Sequence, residues 1–64
     1  MSLRHRIREL RELHDLNQRE LASKLGVNPS AVALWELGQR KPSMDNVIKL
    51  AEIFDLTVTE LIGV

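Results

Sequence analysis

The stretch Gln18–Leu37, QRELASKLGVNPSAVALWEL, reads as two short helices joined by the tight turn Gly26-Val27-Asn28. Its apolar residues recur at spacings of three and four, Leu21 to Leu25 before the turn and Val32 to Trp35 after it, which is the period of a helix. Gly26 can adopt the positive φ that stops one helix and reverses the chain. Asn28 is a good N-cap type, and Pro29 then stands at the first helical position, where its missing N–H costs nothing. Ala22 is small enough to let the second helix approach the first closely. Leu21, Leu25, Val27, Val32 and Trp35 are therefore expected in a common core. Pro29, Ser30, Ala33, Leu34 and Leu37 remain on the outer face of the second helix.

Start signals of the same kind recur on either side. Asn17, Asn28, Ser43 and Thr57 are all N-cap types. Glu20 and Glu60 stand three residues after Asn17 and Thr57, as a capping box requires. The flanking pairs Leu16/Leu21, Val27/Val32, Pro42/Val47 and Leu56/Leu61 fit hydrophobic staples across the four starts. An earlier helix follows from Leu3, Ile7, Leu10 and Leu13/His14. The expected helices cover about 3–14, 18–25, 29–37, 44–54 and 58–62. Strand alternation is absent, and no linker, repeat or low-complexity tract is evident. The reading is an all-α, compact five-helix single domain over residues 1–64.

Sixty-four residues bury a modest core, and without cysteine neither a disulfide nor a thiolate metal site can reinforce it. Efficient helix packing or pairing with a second copy must supply the stability. A hydrophobic fraction of 44% with 28% charged residues is ordinary for a globular domain. No apolar run approaches the roughly 20 residues of a membrane span, and the start lacks a secretory h-region, so a cytoplasmic protein is expected. The formal net charge is zero but unevenly spread. Residues 1–42 carry eight basic side chains against five acidic, and residues 43–64 carry one against four.

The pattern Leu16-Asn17-Gln18-x-Glu20-Leu21-Ala22, Leu25-Gly26-Val27, Val32-x-x-Trp35-Glu36-x-Gly38 and Pro42-Ser43 resembles the lambda-repressor/Cro-like (Xre-type) helix-turn-helix family. The closing Leu56-Thr57-Val58-x-Glu60-Leu61-Ile62 extends the resemblance over essentially the whole chain. It implies a repressor-like, dimeric, bacterial or phage-encoded regulator of transcription that binds double-stranded DNA, with its third helix in the major groove. Carried over by position, Gln18, Asn28, Pro29, Ser30, Ala33 and Leu34 face bases or the groove. Asn17, Arg19, Gln39, Arg40 and Lys41 meet phosphates. Arg11 and Glu36 match a pair that ties the first helix to the third in some members. Val58, Leu61 and Ile62, with Val64, are the implied dimer contact, placing two recognition helices about 34 Å apart. Where the family often carries Gln, Asn, Arg or Lys, Pro29, Ser30, Ala33 and Leu34 offer one hydroxyl, so base readout leans on Gln18, Asn28, Ser30 and Gln39, with DNA shape supplying more.

A protein-interaction module on the same fold is the rival reading, favoured by the neutral charge and the outward Leu34 and Leu37. An enzyme fits poorly. His5 and His14 lie nine residues apart with no third ligand beside them, and no Gly-rich phosphate loop or nucleophile motif is present. No cofactor, metal or small-molecule ligand is indicated, and membrane binding through the Arg-rich first helix is disfavoured because Glu9 and Glu12 balance its charge. Trp35 reads as core.

Overall fold

The computed structural model describes residues 2–63. Its helices are α1 (Leu3–Leu13), α2 (Gln18–Leu25), α3 (Pro29–Leu37), α4 (Met44–Ile53) and α5 (Val58–Ile62), with no strand among the described residues. Each N-cap expected from the sequence is made. Asn17 and Thr57 form full capping boxes with Glu20 and Glu60, Asn28 accepts from the Ser30 N–H, and Ser43 accepts from the Asn46 N–H. In the α5 box, hydrogen bonding first from the Thr57 backbone and then from its side chain holds the Glu60 carboxyl below its ordinary range. The carboxylate half of the box therefore weakens as Glu60 is protonated on acidification, while the bond from the Glu60 N–H to Thr57 Oγ1 does not titrate.

One backbone device ends the first four helices. A left-handed residue donates its N–H three positions back, and the next residue donates five positions back, which is the Schellman arrangement. The left-handed residues are Asp15 (φ 56°), Gly26 (φ 74°), Gly38 (φ 77°) and Asp55 (φ 57°). The closing bonds run from Leu16 to Arg11, Val27 to Ala22, Gln39 to Leu34 and Leu56 to Ala51, at 3.1, 3.0, 3.0 and 2.8 Å. Leu16, Val27 and Leu56 thus close one helix and then pack on the core just ahead of the next. A repeat missed in the sequence follows. Asp15-Leu16-Asn17-x-x-Glu20-Leu21 and Asp55-Leu56-Thr57-x-x-Glu60-Leu61 are the same turn and capping box used twice.

The core is Ile7 and Leu10 of α1, Leu21, Ala22 and Leu25 of α2, Val32 and Trp35 of α3, Val47, Leu50 and Ala51 of α4, then Phe54 and Leu61. No charged or polar residue stands among these core residues; the Glu36 side chain is nearly buried beside them, paired with Arg11. Helix α3 packs on α1 and α2, while α4 and α5 pack on each other and close the far side against α2 and α1. Ala22 has no exposed surface, consistent with the close α2–α3 approach expected of it.

Three expectations need correction. Helices α1 and α4 stop one residue early, with His14 and Phe54 as caps whose rings meet at 5.0 Å. Leu13 is 71% exposed, because at about 100° per residue it stands roughly 90° off the stripe of Leu3, Ile7, Leu10 and His14. Leu61 is fully buried, so its side chain belongs to the core and offers nothing to a second copy. Val64, expected beside it, lies outside the described residues.

The two left-handed aspartates give a direct check on the turn. Asp55→Val should lower unfolding free energy by about 1–2 kcal/mol relative to Asp55→Gly, because only the β-branched side chain collides in that conformation. Urea unfolding reads the difference; equal midpoints would contradict the assignment.

Candidate nucleic-acid interface

Helix α3 presents Pro29 and Ser30 exposed, Ala33 and Leu34 half-buried, and Leu37 exposed at its end. Val32 and Trp35 hold the opposite face in the core, so the outer face is fixed in rotation about the helix axis. The N-terminus of α2, with Asn17, Gln18 and Arg19, adjoins the last turn of α3, where Gln18 reaches Glu36. The loop Gln39-Arg40-Lys41 follows the C-terminus of α3, and all three of its side chains are exposed. Arg19, Arg40 and Lys41 form no ion pair among the described residues, so their charge is available.

The polar groups of this face have defined orientations. The Asn28 Oδ1 accepts from the Ser30 N–H at 3.0 Å and from the Ser30 hydroxyl at 2.9 Å. The single hydroxyl proton of Ser30 is thereby committed, leaving its oxygen as an acceptor and the Asn28 amide nitrogen as a donor. The Asn17 Oδ1 is likewise occupied, by the Glu20 N–H at 2.7 Å, while the Glu20 carboxylate accepts from the Asn17 N–H at 2.8 Å. An anion at the start of α2 would therefore meet the Gln18 and Arg19 N–H groups and the Asn17 amide nitrogen, with Glu20 opposing it.

Arg11 and Glu36 come together as the resemblance implied. Arg11 Nε donates to Glu36 Oε2 at 2.7 Å and Nη2 donates to Oε1 at 3.1 Å, a two-pronged pair with side chains only 12% and 5% exposed. The remaining Nη1 donates to the Leu16 carbonyl at 2.8 Å. Hydrogen bonding to Glu36, ahead of the opposing effect of burial, holds the Arg11 guanidinium above its ordinary range. Gln18 completes the cluster by donating from Nε2 to Glu36 Oε1 at 3.1 Å. A carboxylate only accepts, so the amide nitrogen must face it, and Oε1 is the end of Gln18 left free. Sequence reasoning missed this bond. The two residues stand 18 apart on different helices, and no local period connects them.

Among the described residues no group of three His, Cys, Asp or Glu is placed to hold a metal ion. No described helix is long and apolar enough to cross a membrane. The arrangement is an exposed helix face with oriented hydrogen-bonding groups and unpaired cations in the segments adjoining it. Such a surface can bind a polyanion.

Removing one partner of the cluster should be costly. Glu36→Gln leaves Arg11 without its counter-charge and is expected to destabilise the fold by about 2 kcal/mol, less than outright loss of a buried partner because the amide oxygen still accepts and Arg11 keeps the Leu16 carbonyl. The paired change Arg11→Met with Glu36→Leu should recover most of that loss. A Glu36→Gln midpoint in urea equal to wild type would show that the pair carries no weight.

The helix-turn-helix family model matches residues 7–61. The chain is 34% identical over 58 residues to the uncharacterized HTH-type transcriptional regulator YobD of Bacillus subtilis, matching 91% of this chain and 52% of that protein. It is 37% identical over 58 residues to the cryptic phage CTXphi transcriptional repressor RstR of Vibrio cholerae, with the same coverage. It spans about half the length of these relatives. The crystal structure of the restriction-modification controller protein C.AhdI from Aeromonas hydrophila superposes with a TM-score of 0.84 at 41% identity, covering 92% of this chain and 89% of that one. With the five-helix order, the turn at Gly26 and the exposed α3 face already established, these matches place the chain in the lambda-repressor/Cro-like (Xre-type) helix-turn-helix family.

Proposed function

We propose that this chain is the DNA-reading domain of a transcriptional regulator, binding duplex DNA with α3 in the major groove and α2 across the backbone. The observation that carries the reading is the exposed α3 face together with the unpaired cations of the segments adjoining it, Arg40 and Lys41 in the loop that follows α3 and Arg19 at the start of α2, which Gln18 ties to Glu36. Gln18, Asn28, Pro29, Ser30, Ala33 and Leu34 then face the groove, while Asn17, Arg19, Gln39, Arg40 and Lys41 contact phosphates. The relatives' names, a regulator and a repressor, support a regulatory role. Such a protein works by binding alone, in the cytoplasm with the DNA, and needs no cofactor. Phosphate contacts supply the affinity, and the sparse polar groups of α3 make specificity depend on few hydrogen bonds and on DNA shape.

A two-fold pairing through α5 fits the same reading. With Leu61 committed to the core, the contact rests on Ile62, 37% exposed, and the half-buried Val58. Ile62→Lys should leave the helical content intact and abolish joint occupancy of two half-sites about one helical turn apart. Wild type sedimenting as a monomer both free and on such a duplex would dismiss the dimer.

The apolar Leu37, 60% exposed at the end of α3, favours a second reading in which this face binds a protein instead. Titration with random duplex at two salt concentrations, followed by selection from a randomised pool, separates the two. A steep salt dependence with an enriched, roughly palindromic motif supports the DNA reader. Replacing Arg40 and Lys41 by Ala should then weaken binding to all sequences and flatten the salt dependence. No binding at low salt would transfer the assignment to the protein-interaction module.

A further inference from the structure

A groove of about 470 Å³ opens where the first turn of α1, the end of α3 and the following loop meet. Leu3, Ile7, Trp35 and Pro42 line its apolar side, and Arg4, Arg40 and Lys41 contribute three cations. None of the three pairs with a carboxylate among the described residues. Arg4 arrives from 33 residues away in sequence and is held in place by two features. Its Nη1 donates to the Leu37 carbonyl at 3.4 Å, and its side chain lies over Gly38, where a Cβ would stand 2.5 Å from Nη1 and 2.9 Å from Cδ. Gly38 thus provides both the left-handed stop of α3 and the space that Arg4 occupies.

The arrangement is electrostatically incomplete. Like charges gathered over an apolar wall are less screened than in open water, and they are stabilised by an anion placed between them. The long bond to Leu37 uses one of the five guanidinium N–H donors, leaving the planar fork that suits a phosphate. We infer that Arg4 is a phosphate-binding residue, completing with Arg40 and Lys41 a three-cation site for one backbone phosphodiester of the bound DNA at the C-terminal end of α3. The inference rests on the DNA-binding reading above and adds to it a residue from α1, outside the helix-turn-helix segment. The same chemistry would accept free phosphate, and the experiment must separate the two sources.

The full chain is titrated with duplex DNA over a range of salt, as wild type and with Arg4→Gln and Arg4→Lys. The glutamine keeps a stem over Gly38 and a donor for the Leu37 carbonyl but removes the charge. Thermal melting confirms that each variant folds. Loss of one phosphate contact should lower the salt slope by about one and weaken binding about tenfold at 0.1 M salt, equally for every sequence. Arg4→Lys should retain the slope. A slope unchanged in Arg4→Gln would reduce Arg4 to a cap on α3 and overturn the inference while leaving DNA binding intact. Absence of duplex binding by wild type would remove both. In a parallel titration followed at the Gly38 amide, duplex should shift the resonance and inorganic phosphate should compete. A shift with inorganic phosphate but none with duplex would assign the site to a free anion and overturn the DNA contact.

Discussion

The Arg11–Glu36 pair is the interaction on which the geometry of the interface depends. It is the point where three helices and one turn are fixed to each other by directional bonds. Arg11 comes from α1, Glu36 from α3, Gln18 from the start of α2, and the Leu16 carbonyl from the turn between α1 and α2. Apolar contacts are non-directional and tolerate small rotations, whereas a two-pronged guanidinium–carboxylate pair fixes both distance and plane. The pair adds little net stability over a well-packed apolar substitute, because desolvation offsets much of its Coulomb attraction. Its value lies in holding the first residue of α2 and the exposed face of α3 in one mutual orientation, as a rigid groove-fitting surface requires.

That orientation is supported by a small core without covalent reinforcement. The chain has no cysteine, and its buried residues number few per helix. Helix ends therefore carry unusual weight. Every N-terminus is capped by a side chain except that of α1, where Ser2 makes no side-chain cap bond, and the first four C-termini close on a left-handed residue. Leu16, Val27 and Leu56 do two jobs each, closing one helix and fixing the entry of the next, which lets three connections be made with very few residues. The zero net charge is compatible with a polyanion partner because the charge is segregated. The basic surplus falls on residues 1–42, which include the whole α1–α3 unit and its loop.

How much of this could be read from the sequence follows from the range of the interactions. Caps, staples and turn glycines act within a few residues, so Asn17, Asn28, Ser43, Thr57, Gly26 and Pro29 announced the helix boundaries nearly to the residue. The inward faces of α2 and α3 were legible from period alone. Arg11 with Glu36 was legible only through the family resemblance, since 25 residues separate them. Contacts with no period and no resemblance behind them stayed hidden: Gln18 on Glu36, and Arg4 over Gly38. Leu61 was misplaced for a related reason. Apolar excess in a terminal helix looks like a partner surface until the gap that the helix fills is known. The left-handed aspartates escaped notice because Asp, unlike Gly, does not single out a positive φ by its type.

The central claim is that the exposed α3 face and its flanking cations form one DNA-binding surface. Backbone amide shifts of the labelled protein on titration with a short duplex at low salt test it most directly. The account predicts shifts concentrated at residues 17–19, 28–34 and 38–41 that fade as salt is raised. Shifts confined to α4 and α5, or none at any salt, would contradict it.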